Sequence, residues 1–289
     1  MCGRNTVDGV TSKGVAKLDA VTGARDTSFA LQVAGKAASF ALDGDTLWVG
    51  GSFSFADVFR RGNIASVDRT TGQVLPSTVW AAFPDSPTQV IKDLRVTPDG
   101  STLVVAGANT QAGTQISGTQ LVGGEPHFGI TMFDLTPGLG DETLLPFHGA
   151  TYSLTPGSAR NILVQDMEMS PDGSYVVTGH TGGDTRDAFN DTVARFDLTQ
   201  KNDPAATETW KHRTFDSVYS IAITDAAVYA GGHFCFGAGP DAPSPFPARE
   251  NRDQSCFAPP NRANGAKYAG QVVRNQLVAI EPDTGLAIA

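Results

Sequence analysis

Basic residues do not cluster in this sequence. The longest run of Lys and Arg is the pair Arg60–Arg61, and the formal net charge over 289 residues is −9. Nucleic-acid recognition relies on a dense basic face, so no nucleic-acid partner is expected. Long apolar runs are also missing, and none approaches the roughly 18 residues of a membrane span. Charged residues make up only 18% of the chain, against 40% hydrophobic, so a substantial core can form. Neither Cys-x-x-Cys nor His-Glu-x-x-His occurs, which removes the common zinc patterns. No Gly-x-Ser-x-Gly turn is present to raise a nucleophilic serine. The glycine-rich stretch GAGPDA (237–242) contains proline and follows no strand–helix unit, so it is not a dinucleotide loop. The opening residues, MCGRNTVDGV, lack the basic start and apolar stretch of a signal peptide. Met1 is therefore read as a boundary inside a longer protein, the alternative being a cytoplasmic start.

Turn residues, by contrast, are abundant. The 32 glycines and 17 prolines are spread along the whole chain. They leave few windows long enough for a helix and suit many short strands joined by tight turns.

One pattern recurs five times, as KLDAVTG (17–23), SVDRTTG (66–72), MFDLTPG (132–138), RFDLTQK (195–201) and AIEPDTG (279–285). A hydrophobic residue leads into an acid: Asp19, Asp68, Asp134, Asp197 or Glu281. This reads as a strand stopping in a turn, where the acid accepts local hydrogen bonds and glycine supplies positive φ. The fourth copy lacks its Thr-Gly, so its turn should differ. A second pattern comprises TLWVGGSF (46–53), TLVVAGAN (102–109), YVVTGHTG (175–182) and VYAGGHFC (228–235). Continuous apolar residues running into small ones suit a strand covered on both faces. A third comprises IKDLRVTPDG (91–100), VQDMEMSPDG (164–173) and VYSIAITDAA (218–227). In the first two, x-Pro-Asp-Gly is a hairpin signal. STVWAAF (77–83) and TETWKHRT (207–214) are candidates for a fourth strand.

Four-stranded antiparallel units repeating in this way predict an all-β chain, a β-propeller of about four to five blades or a segment of a larger ring. A β-sandwich and a β-solenoid are the alternatives. A single domain over 1–289 is expected, with a partial blade at 12–34. Blades follow at about 38–83, 90–149, 160–214 and 218–289, the last short of its final strand. A Pro-rich insertion, 235–274, interrupts the last blade between its second and third strands.

The stretches LWVGGSFSFADVFRRGNIASVDRTTGQV, VYAGGHF and NQLVAIEPDTGL resemble the delta-sixty-type repeat of secreted bacterial proteins. TPDGSTLVVAG and SPDGSYVVTG are also similar to general propeller repeats, including lactonase-like ones. The resemblance covers about 12–289. It implies a propeller fold and an extracellular or cell-surface location, and no particular activity.

Cys235 and Cys256 bracket the Pro-rich half of the insertion, and Cys2 is the odd thiol. A Cys235–Cys256 disulfide is expected in an oxidising compartment, the alternative being two thiols in a reduced protein. It would close a loop worth roughly 3 kcal/mol by chain entropy. A metal site at His233, Cys235 and Cys256 is set aside in favour of this reading. Asp184, Asp187 and Asp191 group in one stretch and are weak candidates for calcium, a solvated turn being the preferred reading. No other cofactor is expected. Aligned second-strand ends place Ser52, Asn109, Thr181 and His233 in register, with His180 one residue earlier, as a candidate binding surface. The leading expectation is a secreted, non-enzymatic binding or structural module, a monomer whose partner is a protein or polysaccharide. A metal-dependent hydrolase or lactonase-like enzyme is the alternative.

Overall fold

A computed structural model describes residues 5–7, 10–12, 14–82, 91–109, 111–118, 120–147, 163–181, 191–214, 216–234, 236–238 and 271–288. The described residues are all-β, with several antiparallel sheets and no α-helix. The chain divides into two compact units, residues 1–148 and 149–289.

In the first unit β1 (Asn5–Val7) and β2 (Val10–Ser12) form a hairpin. The first large sheet holds β3 (Val33–Asp43), β4 (Thr46–Ala56), the short β5 (Phe59–Arg60) and β6 (Ile64–Asp68). β7 (Trp80–Ala82) then leads to β8 (Ile91–Val96) and β9 (Thr102–Gly107). Four short strands intervene: β10 (Gln111–Gly113), β11 (Gln115–Ser117), β12 (Gln120–Val122) and β13 (Glu125–Pro126). β14 (Ile130–Asp134) and β15 (Thr143–Leu144) complete a four-stranded sheet in the order β15-β14-β9-β8.

The second unit begins with β16 (Leu163–Met169), β17 (Tyr175–Thr181), β18 (Thr192–Asp197) and β19 (Trp210–Arg213), adjacent in that order. β20 (Val218–Ile223), β21 (Val228–Gly232) and β24 (Leu277–Ile280) form its other sheet. β22 (Phe236–Ala238) and β23 (Gln271–Val273) come from the two ends of the insertion. They leave their own sheet and extend the preceding one beyond β19 to six strands.

The recurring acid does what its sequence context implies. The Asp19 carboxylate accepts the Val21 and Thr22 N–H groups at 3.1 and 2.7 Å and the Thr22 hydroxyl at 2.8 Å. Asp68 repeats the arrangement with Thr70 and Thr71 at 3.0, 2.7 and 2.8 Å. Gly23 and Gly72 close these turns at φ 70° and 77°, a region glycine enters without strain. The bonds from Thr22 and Thr71 hold both carboxyls below the usual carboxylate range. The fourth copy does differ: a 3-10 turn at Leu198–Gln200 replaces it. There Asp197 accepts Arg195 Nε at 2.7 Å and the Thr209 hydroxyl at 2.8 Å. The two Pro-Asp-Gly hairpins also match each other. Thr97 and Ser170 each donate to the turn aspartate, Asp99 or Asp172, at 2.6 and 2.7 Å. Bonds from Ser170 and Ser174 hold Asp172 down to about 2.

Two expectations need correction. STVWAAF does not supply the fourth strand of its own sheet. The chain reverses at Gly72 and pairs at once, through a Val67–Val74 bridge and Leu75 N–H to Ser66 O at 2.9 Å. Trp80–Ala82 is thereby released to pair with β10 of the next repeat. The Trp80 indole is held there by Gly113 and Gly124, where any Cβ would come within 2.8 and 2.5 Å of the ring. The last repeat, expected to end without a returning segment, carries a single bridge there, Ala287 to Ile280. TETWKHRT does form the outer strand of its sheet, and β21 pairs directly with β24 across the insertion.

Each long first strand carries a bulge at the same place: between Ala37 and Ser39, Ile91 and Asp93, Val164 and Asp166, and Val218 and Ser220. The residue after the bulge ties one sheet to the next within each unit. Ser39 Oγ accepts the Leu94 N–H at 2.9 Å, and Asp166 Oδ2 accepts the Ile221 N–H at 2.7 Å. Asp93 adds a return bond, accepting the Ser39 hydroxyl at 2.6 Å. Apolar packing follows the same course. Trp48, Ile64, Ile91, Leu94 and Phe133 share one core, and Val177, Trp210, Val218, Ile221 and Phe234 share another. Replacing Asp166 with Ala orphans the Ile221 amide and should cost about 2 kcal/mol, read as a lower urea midpoint with unchanged m-value. A loss below about 0.5 kcal/mol, the range of an inert surface change, would show that this bond does not hold the sheets together.

Candidate functional site

The sheet pairing corrects the expected alignment of strand ends. Thr46, Thr102 and Tyr175 lie opposite the turn acids Asp68, Asp134 and Asp197. In the last sheet Val228 lies opposite Ile280, so Ala227 holds the equivalent place. Six residues on are Ser52, Ala108, Thr181 and His233; Asn109 lies one residue beyond. Asn109 is buried, its Nδ2 donating to His127 O at 3.2 Å and Thr131 Oγ1 at 2.8 Å, so it organises the loop beneath it. Ser52 is half-buried in the first unit.

In the second unit, Thr181 and His233 meet through Ser217. The Thr181 and Ser217 hydroxyls share a hydrogen bond, and Ser217 O accepts the His233 N–H at 2.9 Å. Tyr219 completes the group. Its ring stands edge-on to the His233 ring, with centroids 4.9 Å apart, and its hydroxyl lies 3.5 Å from His233 Nδ1. His233 and Tyr219 are exposed, and Thr181 and Ser217 are half-buried. The result is an open aromatic pair flanked by hydroxyls, suited to stacking and hydrogen bonding rather than to enclosing a substrate.

Tyr219 was not foreseen. It is the residue expelled by the Val218/Ser220 bulge, and a bulge re-aims the side chain it carries. The same device presents Ala38, Lys92 and Gln165 on the other first strands. These positions differ in size, charge and polarity, while the serine or aspartate that follows keeps its structural task. The available signal was the residue immediately before Ser39, Asp93, Asp166 and Ser220.

His180 stands apart from this surface. It is fully buried, with Nδ1 3.0 Å from both Thr192 O and Thr192 Oγ1. The carbonyl contact requires the proton on Nδ1. His212 is buried likewise, donating from Nδ1 to Gly285 O at 2.9 Å. Its Nε2 faces Gly237 of β22, where a Cβ would come within 2.4 Å. Asp191 is buried rather than solvated. At φ 57° its carbonyl accepts the Thr214 N–H at 2.9 Å and hydroxyl at 2.7 Å. Asp184, Asp187, Cys2, Cys235 and Cys256 lie outside the described residues. Among the described residues, no three His, Cys, Asp or Glu side chains group closely enough to hold a metal ion. No helix of the described residues is long and apolar enough to cross a membrane.

Two concavities lie elsewhere. One, of about 650 Å³, sits between Asp172, Tyr175, Asp225 and Asp283 in the second unit. The other, of about 550 Å³, is apolar and lies against Phe40, Leu42 and Leu47 in the first.

No family model matches the chain, and no curated protein matches it. Among solved structures it is similar to the computationally designed Ika4 protein, with 15% identity and a TM-score of 0.38 over 68% of this chain and 86% of that one. It is also similar to the computationally designed Ika8 protein, with 13% identity and a TM-score of 0.40 over 88% of this chain and 60% of that one. Scores this low carry no argument about fold or function.

Burial gives the two inner histidines a measurable signature. It pushes His180 down from 6.5 to about 3 and His212 to about 4. Below pH 6.5 the unfolded chain takes up protons that the folded chain refuses. Stability should therefore be intact above 6.5 and fall with pH toward 4 and then 3, by up to about 1.4 kcal/mol per pH unit for each histidine. Urea midpoints measured from pH 7 to pH 4 check this, and a flat profile would refute it. His212→Gln should remove part of the slope.

Proposed function

We propose that the chain is a β-propeller-type array serving as a secreted, non-enzymatic binding module. Its contact surface includes Thr181, Ser217, Tyr219 and His233, and its partner is an extracellular protein or polysaccharide. The observation that carries this reading is the division of labour along the first strands. The bulge, the inter-sheet bond and the turn recur, while the displayed residue changes from Ala38 to Lys92 to Gln165 to Tyr219. A fixed scaffold with variable display suits recognition. A catalytic group would be needed once, in an enclosed place. The resemblance to delta-sixty-type repeats supports the propeller arrangement and the extracellular location.

The insertion fits the same reading. β22 and β23 hold its two ends side by side. A Cys235–Cys256 disulfide, its first cysteine immediately before β22 in sequence, would close part of that insertion.

Screening the protein against immobilised extracellular polysaccharides and surface proteins tests the proposal. Tyr219→Ala and His233→Ala should each weaken the bound partner at least tenfold, about 1.4 kcal/mol or more, without changing the melting temperature. Binding indifferent to both substitutions would reject this surface. Turnover of lactone or ester substrates dependent on calcium or zinc would reject the non-enzymatic reading.

A further inference from the structure

Three turns of the second unit line the concavity of about 650 Å³. Residues 170–174 join β16 to β17, residues 224–227 join β20 to β21, and residues 281–285 follow β24. Thr181 and Tyr219 lie at the other ends of β17 and β20, so the concavity is separate from the surface around His233. The turns bring four acids to it: Asp172, Asp225, Glu281 and Asp283. No lysine or arginine is among the described residues that line it. Arg195 is committed elsewhere. Its guanidinium covers the Tyr175 ring at 3.9 Å and donates to Asp197, Pro282 O and Asp283 at 2.7, 2.8 and 3.2 Å.

Asp172 serves its own turn, and the bonds from Ser170 and Ser174 keep it charged. Asp225 does not. It stands where the two Pro-Asp-Gly hairpins have Pro98 and Pro171. Its turn is closed by Thr224 instead, whose hydroxyl accepts the Ala226 and Ala227 N–H groups at 3.3 and 3.2 Å. The Asp225 carboxylate is exposed and makes no hydrogen bond or ion pair with any described residue. Tyr175 also lacks a partner, although it is an interior residue. Only 9% of it is exposed, yet its hydroxyl makes no hydrogen bond with any described residue. Burial pushes this hydroxyl up from its ordinary value, and the charges of Asp172 and Asp283 push the same way, so it keeps its proton at neutral pH. A buried phenol normally finds a hydrogen-bond partner. The open side of Tyr175 is the concavity it lines.

We propose that this concavity binds an organic polyamine, a ligand carrying two or more ammonium groups, with one ammonium donating to the Tyr175 hydroxyl and others facing Asp172, Asp225 and Asp283. A cleft lined by one sign of charge concentrates ions of the other sign. A metal ion fits less well, because no three acids among the described residues group closely enough to coordinate one. The carboxylates come from three separate turns, so their charge is spread over a concavity of small-molecule size. That distribution matches amines spaced along an extended frame. A free linear polyamine and a de-N-acetylated amino-sugar chain both present this chemistry. The site is independent of the binding surface at Tyr219 and His233.

Titration calorimetry of the whole chain with spermidine, and separately with a glucosamine tetramer, tests this. At least one should form a one-to-one complex that weakens as sodium chloride is added, and the tighter of the two identifies the source of the ammonium groups. Asp225→Asn removes one exposed charge and should weaken binding about fivefold. Tyr175→Phe removes only the hydroxyl and should weaken it about tenfold. Both variants should melt at the wild-type temperature, and Tyr219→Ala should bind the amine as the wild type does. Failure of both ligands to bind, affinity indifferent to Asp225→Asn and Tyr175→Phe, loss of binding in Tyr219→Ala, or calcium bound as tightly as the amine would overturn the proposal.

Discussion

Adjacent sheets that meet face to face gain apolar burial, which is strong but has no direction. A sheet can slide over its neighbour by a residue with little loss of contact area. What removes that freedom here is polar bonding at the bulges where two first strands meet within each unit. Ser39 accepts the amide of Leu94, and Asp166 accepts that of Ile221. The bulge frees one amide from the ladder, and the neighbouring sheet supplies an acceptor for it, joined in the first unit by Asp93 of the same strand. Register between sheets is thereby fixed at the cost of one ladder interruption per repeat. Gly50 and Gly179 lie beside these bonds, where a Cβ would come within 2.7 Å of Ile91 and of Val218, so glycine lets the sheets approach closely. Packing, register and the outward display of Tyr219 are consequences of that one irregularity.

Much of this order is local and was readable from the chain. The Asp–Thr–Gly turns and the Pro-Asp-Gly hairpins are set by residues within five positions of one another, so their sequence specifies them. The altered turn after Asp197 was readable for the same reason. The all-β class followed from punctuation and from continuous apolar second strands. The bulges were not legible, because nothing in IKDLRV or VYSIAI distinguishes a bulged strand from a regular one. The bulge is dictated by a partner more than 50 residues away. Trp80 misled for a related reason. WAA is a good strand sequence, but its pairing partner is decided by where the chain turns earlier, at Gly72. The candidate site was half readable. Thr181 and His233 do come together, but through Ser217 and Tyr219, of which only Tyr219 had a sequence signal, its place immediately before Ser220. Asn109 and His180 were polar strand-end residues that proved to be interior ones, each hydrogen-bonded to a threonine across the sheet.

The two inner histidines illustrate how polar groups serve this core. His180 and His212 are neutral donors, each with Nδ1 at a backbone carbonyl. An aliphatic residue could fill the volume but would lose that hydrogen bond. Histidine adds a sensitivity to acid that alanine or valine would not have.

The excursions between second and third strands follow one rule in both units. β10 leaves its own sheet to pair with β7, and β22 leaves its own to pair with β19. In each unit the second of two successive repeats thus lends a strand to the last strand of the repeat before it. Repeats that only touch neighbours can unfold one at a time, whereas repeats that exchange strands share their fate. The boundaries visible in the sequence are therefore not the boundaries of cooperative units. A repeat excised at its own turn would bare the strand it pairs with in its predecessor, so insertion or loss of a repeat must carry the borrowed strand along with it.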